Sequence, residues 1–324
     1  MDFRYSELVN PNTYETDGLC DGIVLRINKD LKGEIRGAIR CQKDWSMLIE
    51  PLHNYKGTLG SPFSFVRVTV PETIDGRLEI ISYANEFAFL YDDTIIEDLD
   101  EKLESESRRQ LVDDFGTEIT SREDMKRLSE SMTPKGKGIK QIQSQILNEM
   151  MAIDRERGLT TMNSWQKFWF GLVTFGMGLT IPDEELDLCK RLGRPSWAAL
   201  ALTNDLYSWE KERDDAARNG SPHVMNAVYV LMGEHSVAEA RAKDMCRKTI
   251  KDCVAEAVHI VNKIKHDSSI SRDLQIYLEA ILYSVSGNLV WSKYCPRYNP
   301  KETYDNHILS MMAENVKAEY KSHT

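Results

Sequence analysis

The chain lacks a CxxC pair: its six cysteines (Cys20, Cys41, Cys189, Cys246, Cys253 and Cys295) are scattered through 324 residues. No N-terminal signal-peptide pattern precedes them. Together these absences exclude a disulfide framework and read as reduced thiols in a cytoplasmic protein. A basic surplus is also missing, since 41 Lys and Arg stand against 51 Asp and Glu for a net charge of −10. Nucleic-acid binders show the opposite balance, so no nucleic-acid partner is expected. The longest apolar run, Phe168 to Ile181, is broken by three glycines and is too short to span a bilayer, which excludes a membrane partner. The seven histidines have no metal-ligand spacing. There is no Ser-His-Asp or Cys-His constellation, no glycine-rich nucleotide motif, no internal repeat and no convincing strand. Hydrophobic content of 41% and charged content of 28% are ordinary for a globular protein. What remains is an all-α chain, read as one domain over 1–324, with a homo-oligomer left open.

Apolar residues at helical spacing mark the elements. A helix is expected over Ile35–Ile49 and another from Arg77 through Asp98. Residues 98–138, rich in charge and ending in Pro134-Lys-Gly-Lys-Gly, read as a mobile charged loop beside that helix. Ile139, Ile142, Ile146 and Met150 mark the next amphipathic helix. An aromatic-rich stretch follows from Asn163, and Pro182-Asp-Glu-Glu opens a further helix with acids in its first turn. Pro195 is expected to restart a helix that Asn219-Gly-Ser-Pro222 stops. Ser236-Val-Ala-Glu239 has the spacing of a capping box before a long helix to about Lys265. The segment Leu274–Trp291 is apolar nearly all round, as a buried wall helix should be.

Two clusters carry chemistry. In Phe87-Ala-Phe-Leu-Tyr-Asp92-Asp93-Thr-Ile-Ile-Glu97-Asp98, the acids Asp92, Asp93 and Glu97 fall within about a 140° arc of one helix. Carboxylates so placed repel one another unless a cation neutralises them, and Mg²⁺ accepts carboxylate and phosphate oxygen together. Taken alone, the cluster reads more readily as a solvated acidic helix end. In Asn204-Asp-Leu-Tyr-Ser208-Trp-Glu-Lys211-Glu212, the residues Asn204, Ser208 and Glu212 stand at i, i+4 and i+8, drifting only ~40° per step around the helix. An amide oxygen, a hydroxyl and a carboxylate make an oxygen ligand set for Mg²⁺.

With both clusters in view, the chain resembles the class I terpene cyclases, whose metal motifs are an aspartate-rich one and an Asn-x-x-x-Ser-x-x-x-Glu triad. Asn204, Ser208 and Glu212 match the triad in full, and Lys211 matches its common Lys-Glu ending. Met1-Asp-Phe-Arg-Tyr-Ser-Glu-Leu-Val, Gly18-Leu-Cys-Asp-Gly-Ile, Asp44-Trp, Gly57-Thr-Leu-Gly, Phe63-Ser-Phe65, Val70-Pro-Glu and Tyr83-Ala-Asn-Glu-Phe-Ala-Phe narrow the likeness. They are similar to the cyclase domain of fungal bifunctional di- and sesterterpene synthases of the fusicoccadiene and ophiobolin type.

The resemblance implies a helical bundle around an apolar pocket and a Mg²⁺-dependent cyclisation of a linear prenyl diphosphate. The substrate is geranylgeranyl diphosphate, or alternatively farnesylgeranyl diphosphate, and diphosphate is released. It implies three Mg²⁺ ions, with Asp92 the chief ligand on its helix and Asp93 and Glu97 in support. Arg297-Tyr298 matches the pair that grips diphosphate, and Lys211 adds a second cation. Phe65, Phe87, Phe89, Trp209 and Trp291 are candidates for lining the pocket, where aromatic faces stabilise a carbocation by ~0.5–2 kcal/mol each. Any one of them alone reads as an ordinary core aromatic. The family's prenyltransferase half is expected on a separate enzyme or a further domain.

Two departures stand out. The third acid of the aspartate motif is usually where Ile96 stands, with Glu97 one residue on. Relatives also insert a pair of helices, with a diphosphate-sensing arginine, where this chain runs Ser164-Trp-Gln-Lys-Phe168. No arginine occurs between Arg157 and Arg191. The loss of that segment near 165–168 should expose Phe168, Trp169 and Phe170. It also keeps open the alternative of a catalytically impaired remnant. A chain-elongating prenyltransferase, the other alternative, needs a second aspartate-rich motif where this chain has the triad.

Overall fold

The computed structural model describes residues 1–97, 133–162, 168–299 and 301–304, with 308 and 310. Residues 98–132 of the loop expected at 98–138, and 165–167 of the loss expected near 165–168, lie outside the described residues. The described chain falls into two compact units. The first draws on Met1–Leu31, Leu59–Thr73 and Leu179–Leu309, the second on Lys32–Thr58, Ile74–Gly178 and Ser310–Thr324.

The first unit is built on four helices behind a small N-terminal ribbon. Strands β1 (Ser6–Leu8) and β2 (Arg26–Asn28) pair antiparallel with Ser6 opposite Asn28, where no strand was expected from the sequence. Three residues are too short to show an alternating pattern. The buried Glu72 holds this ribbon, accepting the backbone N–H of Arg4, Tyr5 and Ser6 at 2.9, 3.3 and 2.8 Å. Short helix α2 (Phe65–Thr69) leads to it. The long helix α7 (Leu186–Arg218) packs on α8 (Ala227–His235), α9 (Glu239–Ile264) and α10 (Arg272–Tyr294). Between them lies a core that includes Ala199, Leu206, Cys246, Ile250, Val285 and Leu289. Helix α10 is buried along nearly its whole length, as its all-round apolar sequence predicts. At Gly287 a Cβ would overlap the Val68 carbonyl of α2, so this crossing needs glycine.

The second unit holds α1 (Leu31–Leu48), α3 (Leu78–Glu97), α4 (Pro134–Ile153), α5 (Arg155–Met162) and α6 (Phe168–Met177). A Cβ on Gly37 would overlap the Glu79 carbonyl, so α1 and α3 touch backbone to backbone there. Side-chain hydrogen bonds support that pairing. Ser82 donates to the Glu34 carbonyl at 2.7 Å and Tyr83 to Asp44 at 2.8 Å. Buried Glu86 accepts from Gln42 at 2.6 Å and from the Thr58 N–H at 2.9 Å.

Four expectations are corrected. Pro195 does not restart a helix but sits inside the continuous α7, buried with Ser196 and Ala199, so packing on α10 compensates one lost backbone bond. Ser236 does not open α9. It ends α8 in the left-handed conformation (φ 51°), and α9 starts at Glu239 after Ala238, which makes no side-chain cap bond. Pro134 to Gly138 are not loop but the first turns of α4. Thr133 caps the Gly136 N–H at 3.1 Å with Pro134 in the first turn, and Gly138 lets the helix reach the Leu48 carbonyl. Phe168, Trp169 and Phe170 are half-buried rather than exposed. They lie in α6, which packs on α5 with Gly171 against Thr161.

Candidate metal centre

Helix α7 carries Asn204, Ser208 and Glu212 on successive turns, as the spacing predicts. The three differ in how they are held. Asn204 is half-buried and its Nδ2 donates to the Tyr298 hydroxyl at 3.0 Å, which orients the amide and leaves Oδ1 as its acceptor end. Glu212 is half-buried and its Oε2 accepts from Asn226 Nδ2 at 3.0 Å. Between them, the Ser208 side chain is buried and its Oγ has no hydrogen-bond partner among the described residues. A buried hydroxyl without a partner costs ~1–3 kcal/mol. An oxygen-seeking cation between an amide and a carboxylate would satisfy it, so the donor set fits Mg²⁺. Thr203 Oγ1, beside the triad, is likewise unbonded.

The flanking charges are engaged elsewhere. Lys211 pairs with Asp215 at 2.9 Å, and Asp215 also takes Arg218. Burial pushes the Asp205 carboxyl up to about 6, and the Glu212 charge acts in the same direction against a 2.7 Å bond from the Ala227 N–H.

Asn204 is also tied to two of the expected pocket aromatics. The Tyr298 ring meets Trp291 edge-on at 5.4 Å, and Trp291 meets Phe65 at 4.8 Å. The Arg297 guanidinium lies 5.9 Å from the Tyr298 ring centre. Enclosure pushes the Tyr298 phenol well above its ordinary pKa. Trp209 is not part of this row; it is buried in a cluster with Val228 and Ala242.

In the second unit, Asp92 is exposed and Asp93 half-buried near the end of α3, and Glu97 is its last residue, with a side chain outside those described. Phe87 is buried against Trp45 at 5.9 Å and Tyr91 at 5.8 Å, and Phe89 is half-buried. Among the described residues no three His, Cys, Asp or Glu side chains gather as a metal cluster; the triad of α7 contributes a single carboxylate.

Sequence reading missed Asn226, which braces the triad from the N-cap of α8, and Asp205 on α7, which the start of α8 bonds. The only signal for Asn226 is that an Asn precedes the apolar run Ala227-Val-Tyr-Val, an N-cap pattern.

Residues 159–256, which include the whole triad, match the family described as Terpene synthase family 2, C-terminal metal binding. Over 98% of its length the chain is 44% identical to the fusicoccadiene synthase of Phomopsis amygdali, covering 48% of that protein. It is 38% identical to a bifunctional type I diterpene synthase of Aspergillus flavipes, again over 98% of the chain and covering 44% of the relative. The chain therefore spans about half the length of these curated relatives. Among solved structures, 2-methylisoborneol synthase from Streptomyces coelicolor A3(2) superposes with a TM-score of 0.54 at 13% identity, over 86% of this chain and 94% of the other.

The fold is that of the class I terpene synthases. Residues 159–256 match that metal-binding family, and over 98% of its length the chain is similar to about half of each of the two fungal synthases above.

Proposed function

We propose that the chain, as a single cyclase domain over 1–324, is a Mg²⁺-dependent cyclase that converts geranylgeranyl diphosphate to a polycyclic hydrocarbon in the cytoplasm. The observation that carries this reading is the buried, unbonded Ser208 Oγ between Asn204 and Glu212 on α7. The name of the Aspergillus relative, a diterpene synthase, favours the twenty-carbon substrate over farnesylgeranyl diphosphate. A prenyltransferase, separate or on the same polypeptide, would supply it.

Asn204, Ser208 and Glu212, with Asp92 and with Asp93 and Glu97 in support, would hold the metal; three ions are expected from the family. Bound Mg²⁺ supplies the positive charge that stabilises diphosphate as a leaving group. The chain's own residues do the rest. Arg297 and Lys211 donate charged hydrogen bonds to diphosphate oxygens and fix which oxygen leaves. In this role Lys211 must exchange Asp215 for substrate. When the carbon–oxygen bond breaks, its electron pair leaves with diphosphate and the prenyl group of the substrate is left as an allylic cation. Phe65 and Trp291 flank that cation with aromatic faces and exclude water, which would otherwise quench it to an alcohol. Loss of a proton ends the sequence as a neutral hydrocarbon.

The test is incubation of purified protein with Mg²⁺ and a panel of prenyl diphosphates of increasing length. A cyclic hydrocarbon from the twenty-carbon substrate is the expected result. A longer diphosphate would mean chain elongation. No turnover of any substrate would favour the impaired remnant, a reading with one observation behind it. The alignment with the Phomopsis relative runs over 353 positions, more than the chain's 324 residues, so that relative carries residues this chain lacks.

A further inference from the structure

Helix α7 ends at Arg218, and the chain returns to it at Asn226, the N-cap of α8. A helix N-cap needs one side-chain oxygen, and Asn226 Oδ1 provides it by accepting the Val228 N–H at 2.8 Å. Serine or threonine would serve as well. The amide nitrogen does something a cap does not require. Its two N–H groups go to the Asp205 carbonyl at 2.8 Å and to Glu212 Oε2 at 3.0 Å. Those partners lie two turns apart on α7 and bracket Ser208. The side chain is buried, so no water competes for these bonds, and both its amide hydrogens and its oxygen are engaged. Next to it, the Ala227 N–H is bonded to the Asp205 carboxylate at 2.7 Å. The first turn of α8 is thereby fastened to the stretch of α7 that carries the triad.

The contact to Glu212 is the informative one. It ties Oε2 to the protein, and it is the single hydrogen bond Glu212 makes among the described residues. A carboxylate on a half-buried glutamate has three rotatable bonds, and without Asn226 nothing described would select one orientation. We propose that Asn226 is a positioning residue for the metal triad: it holds the Glu212 carboxylate so that its other oxygen shares a direction with Ser208 Oγ and Asn204. This rests on the reading of Asn204, Ser208 and Glu212 as metal ligands. Partners that orient a ligand in this way are worth about 10–100-fold in metal affinity.

The experiment compares the wild-type chain with Asn226→Ser, Asn226→Ala and Glu212→Gln, using Mn²⁺ with inorganic diphosphate as the probe. Binding is followed by electron paramagnetic resonance, and folding by thermal melts. Asn226→Ala is expected to lower Tm and weaken Mn²⁺ binding about 10–100-fold. Asn226→Ser restores the cap and therefore Tm, yet leaves Mn²⁺ binding as weak as in the alanine variant. Asn226→Thr replaces it should the serine variant not fold. If the serine or threonine variant recovers Mn²⁺ affinity together with Tm, Asn226 is a cap and nothing more, and the inference is overturned. If instead Glu212→Gln binds Mn²⁺ like the wild type, the triad reading itself fails and this inference goes with it. The Glu212 control thus keeps the two failures apart.

Discussion

Ser208, like its neighbour Thr203, differs from three other buried helical hydroxyls of this chain. Thr161, Thr174 and Ser284 all return theirs to the carbonyl four residues earlier, at 2.9, 2.9 and 3.3 Å. Ser208 is as buried as these and does not. Removing its hydroxyl should therefore leave Tm unchanged or slightly raised, because an unsatisfied polar atom disappears. Turnover with Mg²⁺ should nevertheless fall at least tenfold in Ser208→Ala; a variant that melts lower yet turns over normally would contradict the assignment. Glu212→Gln should cut turnover by orders of magnitude with unchanged helical circular dichroism. On α3, Asp92→Asn should be far more damaging than Glu97→Gln, and equal mild losses would return Asp92 to the role of a solvated acid. The common face of Asn204, Ser208 and Glu212 was legible in the sequence because a helix turns i, i+4 and i+8 the same way. The brace from Asn226 was not, since it depends on how a turn of irregular chain brings α8 back to α7.

A different residue sets an acid limit on stability. Asp154, at the end of α4, accepts from Arg77 at 3.0 Å and Arg157 at 2.9 Å with its side chain only 12% exposed. Burial alone would raise its pKa, but the bonds from Arg157 and Arg77 outweigh this and hold the carboxyl below its usual value. A group depressed in the folded state stabilises it above the unfolded pKa, and that contribution is lost as pH falls through the folded value. Asp154→Asn should thus cost about 1.5–3 kcal/mol at neutral pH and much less at about pH 2. Melts of both proteins at the two pH values check this; a constant gap between them would mean the loss is not ionic.

At the scale of elements, the sequence read most helices correctly and several of their ends incorrectly. Periodicity located α1 and α3, a capping-box spacing located α9, and a run apolar nearly all round located the buried α10. Ends are decided by tertiary contacts that compete with local signals, which is why Pro195 continues a helix and Ser236 closes one. Glycines show the same division. Gly37 and Gly233 are both helical and indistinguishable by propensity, but a Cβ at Gly37 would meet α3 and one at Gly233 meets nothing within 4 Å. Gly37→Ala should destabilise by about 1–3 kcal/mol through forced separation of α1 and α3. Gly233→Ala should stabilise by up to ~1 kcal/mol through helix propensity. Urea titrations that give both substitutions the same sign would overturn the contact that distinguishes them.

For the whole molecule, the question is whether these parts suffice for a full catalytic cycle. Metal ions neutralise diphosphate but do not by themselves fix which oxygen departs; that takes directed hydrogen bonds from cationic side chains. The chain provides Arg297, and Lys211 if it leaves Asp215, yet no arginine between Arg157 and Arg191. Its Phomopsis relative aligns over more positions than the chain possesses, which agrees with an internal segment absent here. The junction itself, at 163–167, lies outside the described residues. The 324-residue chain should ionise its substrate slowly and release a mixture, since a diphosphate held at fewer points samples more orientations. Inserting the corresponding segment of the Phomopsis enzyme between Trp165 and Phe168 should raise turnover at least tenfold and narrow the product range. From the family resemblance, that segment is expected to bring the arginine that contacts diphosphate. The same insertion with that arginine changed to alanine should fold, by circular dichroism, and lose most of the gain. Fast, single-product turnover by the unmodified chain would refute this, and would assign the orienting contact to Arg297 with Lys211.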